Sequence, residues 1–133
     1  MKKKKKAKPP EYRLNIFHAS DKETGKRYVT FLVRTMKEFA SFNYEIILNV
    51  TQRDRTLQVE ILGMNAPPMI MGGTGPATGR HNRTGLRGVY TVVVTKLDHE
   101  ANTFMINVDT DDINIVEAPP DPFILVSADP VIE

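Results

Sequence analysis

Cysteine is absent from this chain of 133 residues. That excludes a disulfide framework, a thiolate nucleophile and any cysteine-ligated zinc or iron–sulfur centre, so the fold must stand on packing. Long apolar runs are missing too, and no stretch nears the ~18 residues that span a bilayer as a helix. The opening lysine block is followed by AKPPEYRLN, not by the apolar core of a secretory signal, and its second residue is lysine where myristoylation requires glycine. The expectation is a cytoplasmic protein without a membrane span. The third absence is of one charge, because no lysine or arginine follows Lys96.

What is present is therefore polar along its length. Residues 1–8 carry +6, Pro9–Lys96 carry +5 (12 basic, 7 acidic), and Leu97–Glu133 carry −9 (no basic, 9 acidic), for a net +2. Like charges at adjacent positions repel, and a block of them buries too little apolar area to offset the entropy of ordering. Residues 1–10 are thus expected as a disordered basic arm, 11–128 as a single β domain, and 129–133 as an acidic C-terminal tail. Lys2, Lys3, Lys4, Lys5, Lys6 and Lys8 give the arm the means for weak polyanion binding, with a protein partner or self-association as the other outlets for such charge. Ordinary fractions of hydrophobic (41%) and charged (26%) residues place the rest among globular domains.

The dominant hydrophobic period is two, the mark of half-buried strands. Phe42, Tyr44, Ile46, Leu48 and Val50 fall on one face, and after a polar turn Leu57, Val59 and Ile61 continue it, which predicts a hairpin. Tyr90, Val92 and Val94 lead through DHEAN to Phe104, Ile106 and Val108, a second hairpin. Tyr12, Leu14 and Ile16 lead through DKETG to a strand through Tyr28, Val29, Phe31 and Val33 that reads as buried on both faces. INIVEA and FILVS, separated by PPDP, read as short strands at a sheet edge or switch, and TMKEFASF is the one place for a helical turn. About seven or eight short strands with turn signals every 8 to 12 residues predict an all-β antiparallel sandwich, immunoglobulin-like or Greek-key, with a small barrel as the runner-up.

Residues 65–86, NAPPMIMGGTGPATGRHNRTGL, read as a long glycine-rich loop. Loops of that length in compact domains are usually functional or disordered. The triplet Met69, Ile70 and Met71 suggests an anchored flap over one end of the domain. The loop lacks the Gly-Lys-Ser/Thr of a nucleotide P-loop, and its glycines are misspaced for a dinucleotide fingerprint. Arg80, His81, Arg83 and Arg87 nevertheless form a candidate anion- or partner-binding set, because arginine directs paired donors at carboxylate or phosphate. No serine sits in a nucleophile-elbow setting, and Asp109, Asp111 and Asp112 lack the glycine and glutamate of a calcium loop. The reading is a non-catalytic binding module without metal or cofactor. The alternatives are a subunit that self-assembles through its basic arm and acidic end, and an enzyme without a recognisable motif.

Overall fold

The computed structural model describes residues 9–40, 44–65, 75–120 and 122–131. Nine strands occupy them: β1 (Tyr12–Ser20), β2 (Arg27–Phe39), β3 (Glu45–Arg53), β4 (Thr56–Asn65), β5 (Gly75–Arg83), β6 (Gly88–Thr95), β7 (Ala101–Val108), β8 (Ile113–Glu117) and β9 (Ile124–Ser127). They form one sheet in the order β8-β7-β6-β4-β3-β5-β2-β1-β9, which curls into a nearly closed barrel. The all-β expectation holds, and the barrel fits better than the sandwich. The sheet is also mixed where an antiparallel one was expected: β4 pairs β6, β3 pairs β5 and β1 pairs β9 in parallel. Among the described residues no helix is long and apolar enough to cross a membrane.

The alternating apolar positions point into the barrel. Leu14 and Ile16 of β1, Val29, Phe31 and Val33 of β2, Leu57 and Val59 of β4, Val92 and Val94 of β6, and Phe104, Ile106 and Val108 of β7 are buried in one cluster. Each such side chain contributes about 1.5 to 3 kcal/mol by leaving water. Ile46 is buried and Leu48 and Val50 pack beside it, while Ile47 and Asn49 face out, so the β3 register is the expected one; Phe42 lies outside the described residues. β2 is buried on its second face as well, where Thr30 and Leu32 are covered. β8 and β9 form the two edges of the sheet, as their prolines suggested.

Two expectations fail here. Residues 35–39 are not a helical turn but the end of β2, bent by a register shift between Arg34 and Glu38. Residues 75–83 are not loop but strand β5, and the anchor triplet 69–71 lies outside the described residues. β5 carries no apolar alternation because its inward positions begin with Ala77 and Gly79. A Cβ on Gly79 would stand 2.6 Å from the Ile46 carbonyl oxygen and 2.9 Å from the Ile46 Cβ, so the crossing of β3 and β5 requires glycine. A single rung, Glu45 opposite Thr78, joins these strands, with the Thr78 amide donating to the Tyr44 carbonyl at 3.2 Å. That rung fuses what would otherwise be two sheets of a sandwich into one barrel wall.

Candidate functional site

Above the rung, β3 and β5 diverge, and Arg83 fills the gap. Its guanidinium donates through Nη2 to the Val50 carbonyl and through Nη1 to Gln52 Oε1, both at 3.2 Å. Arg83 therefore does the work of missing ladder bonds. Beside it opens a cavity of about 350 Å3 at the barrel mouth, lined by His18, Arg27, Tyr28, Val29, Arg83, Gly85, Leu86, Arg87, Asp109 and Thr110. Val29 and Leu86 make its apolar floor, both buried.

The mouth is also where the sheet fails to close, between β1 and the β7–β8 turn. His18 Nε2 donates to the Asp109 carbonyl at 2.8 Å, and Arg27 Nη2 donates to the Thr110 carbonyl at 2.8 Å. Arg27 additionally faces the Asp111 carboxylate at 3.7 Å, with both groups exposed to solvent. Such an exposed pair is worth little in stability, so the seam rests mainly on the two side-chain-to-carbonyl bonds. On the opposite rim Arg55 donates to the Arg87 carbonyl and lies 4.8 Å over the Tyr90 ring. Arg53 and Arg55, flanking the left-handed Asp54 of the β3–β4 turn, bound an adjoining cavity of about 570 Å3.

The four residues singled out by sequence are separated by the strand's own period. Arg80 is on the outer, exposed face of β5, whereas His81 and Arg83 point to the opposite face, and Arg87 follows the strand at the mouth. Of the four, Arg83 and Arg87 share the cavity lining. His81 lies deeper, opposite Phe31 in the β2–β5 register with the rings 6.4 Å apart, and its Nε2 is buried without a partner among the described residues. Burial, and secondarily the Arg83 charge, push its pKa below the ordinary histidine value. The mouth residues that sequence reasoning missed are His18, Arg27, Arg53 and Arg55. Their only signal was indirect: His18 and Arg27 flank the DKETG turn and Arg53 and Arg55 the β3–β4 turn, on strand ends that pairing brings to one end of the barrel.

The chain matches no protein-family model, no curated protein and no solved structure.

Proposed function

We propose that this protein is a non-catalytic module that binds an anionic ligand at the barrel mouth. The observation that carries the reading is an excess of arginine over carboxylate: Arg27, Arg53, Arg55, Arg83 and Arg87 line the two mouth cavities against Asp54 and Asp109. Arg53, Arg55, Arg83 and Arg87 gather at one end of the barrel, and none of them forms an ion pair among the described residues. Guanidinium groups grouped at a cavity with low-dielectric walls focus a positive potential outward and favour a diffusing anion. Their fixed, paired donors suit phosphate or carboxylate oxygens.

The remaining lining fits binding better than turnover. The His18 imidazole lies at the mouth, and its Nε2 donates to a backbone carbonyl rather than facing a hydroxyl or thiol nucleophile. Among the described residues there is no group of three or more side chains placed to hold a metal ion.

Titration with inorganic pyrophosphate, followed by amide resonances, tests the reading. Gly85, Arg87 and Thr110 should shift together and recover as salt is raised. Arg87→Gln, which removes a charge with no side-chain partner among the described residues, should weaken binding about tenfold or more, the worth of one charge-assisted hydrogen bond. Resonances that stay still in the unmodified protein, or an affinity indifferent to Arg87→Gln, would refute a mouth site.

A further inference from the structure

At the end of the barrel away from the mouth, the β6–β7 turn presents an apolar tip among carboxylates. β6 starts at Gly88 beside the mouth and ends at Thr95, and its eight residues, at about 3.3 Å each, carry the chain roughly 26 Å from it. Leu97 in the turn is 67% exposed, more than any other large apolar side chain among the described residues. Met64, also exposed, lines a cavity of about 290 Å3 with it. Beside them Lys96 Nζ is paired with Glu11 and lies 3.6 Å from Asp98 and 3.5 Å from Glu100, so one cation faces three carboxylates and the group keeps a net −2. The turn is held by its own bonds. The Lys96 amide donates to the Glu100 carbonyl at 3.1 Å, the His99 amide to the Lys96 carbonyl at 2.9 Å and the Glu100 amide to Asp98 Oδ1 at 2.9 Å, with His99 in the left-handed conformation.

We infer that the β6–β7 turn of one copy of this protein docks in the barrel mouth of another, so that copies associate head to tail; the inference rests on the mouth being an anion site. The two surfaces match in both sign and polarity. The mouth has arginines in excess of carboxylates around the apolar floor of Val29 and Leu86, and the turn has carboxylates in excess of lysine around Leu97. Leu97 seated on that floor leaves water, while Asp98 and Glu100 meet guanidinium groups whose paired donors suit carboxylate oxygens. Because the turn is already fixed by its own bonds, docking it costs little ordering entropy. A second copy is the partner selected, since this one chain carries both halves. The halves differ and lie at opposite ends of β6, so the contact is heterologous: each copy that fills a neighbour's mouth leaves its own open, and rows rather than two-fold dimers result.

Sedimentation velocity of the full chain over a range of concentration tests the inference. At low salt the mass should grow with concentration, and at ~1 M salt, where the Debye length is ~3 Å, it should fall to that of one copy. Leu97→Ser, at an exposed position, and Arg87→Gln should each weaken association by about tenfold or more while leaving the melting temperature at the parent's value. Mixed together, the two variants should form a complex of two copies and no more, because the intact mouth of the first takes the intact turn of the second and nothing is left to extend the row. Pyrophosphate should dissociate parent and mixture alike. A parent chain that stays monomeric at low salt overturns the inference, and pyrophosphate binding to that monomer would leave the anion site standing. Association that neither variant weakens, or that bound pyrophosphate does not disturb, would place the contact on another surface and overturn it as well.

Discussion

Gly79→Ala should destabilise this protein, although the same change in most strands does the opposite. Replacing glycine by alanine restricts the unfolded chain and ordinarily gains about 0.4 to 1 kcal/mol where the backbone tolerates it. At Gly79 the new methyl would sit 2.6 Å from the Ile46 carbonyl oxygen, 2.9 Å from the Ile46 Cβ and 3.2 Å from Leu48 Cγ. The nearest of these is backbone, which cannot rotate away as a flexible side chain does. β3 must then retreat at the one rung that joins it to β5. Overpacking of this kind costs about 1 to 3 kcal/mol, enough to outweigh the entropic gain and to lower the melting temperature by about 4 °C per kcal/mol. Gly75, on the same strand, is the internal control, because a Cβ there meets no atom within 4 Å. Gly75→Ala is expected to be neutral or stabilising by up to about 1 kcal/mol. Urea titrations of the three proteins decide the matter, and a Gly79→Ala variant as stable as the parent would show that the β3–β5 contact does not hold the barrel together.

Burial, and secondarily the Arg83 charge, lowers the His81 pKa in the fold, so the unfolded chain binds its proton more readily. Its contribution to stability is complete above the unfolded value of about 6.5 and is lost as pH falls below it, and His81→Leu should flatten the stability–pH profile in that window relative to the parent. A parent profile with no such fall would contradict the inward placement of the ring. Arg83→Gln should lower stability by roughly 1 to 3 kcal/mol, because it strips the Val50 carbonyl and Gln52 of their donor where β3 and β5 part, and should weaken pyrophosphate binding as well. Arg87→Gln should affect binding only, so equal stability losses in the two variants would argue against the bridging role of Arg83.

What could be read from sequence followed from period-two alternation, and what could not lay where alternation is suppressed. Ile46, Leu48 and Val50, or Val92 and Val94 opposite Phe104, announce their faces because a half-buried strand needs apolar residues at every second position. β5 needs them too in principle, but the close approach of β3 limits its inward positions to Ala77 and Gly79, and its next two are His81 and Arg83. PATGRHNR therefore reads as loop. That one misreading also turned the barrel into a sandwich, since β5 is the strand that links β3 to β2. The mouth was half legible: Arg83 and Arg87 stood out as arginines in a glycine-rich stretch, while His18 and Arg27 became site residues only through pairing across distant parts of the chain.

The same local conflict explains why the positive cluster sits at the mouth and not elsewhere on the barrel. A sheet held by one rung between β3 and β5 must open beyond it, leaving main-chain acceptors such as the Val50 carbonyl without ladder partners. A long side chain with several donors and no acceptor is the simplest replacement, and Arg83 supplies it from the strand that diverges. Its partners are neutral, so its charge remains to be used. Arg55 repeats the arrangement at the β3–β4 turn, donating to the Arg87 carbonyl and stacking on Tyr90, and it forms no ion pair among the described residues. The arginines that close the structure at this end are thus the ones that make it attractive to anions, and a bound anion would draw on their charge without displacing the bonds that position them.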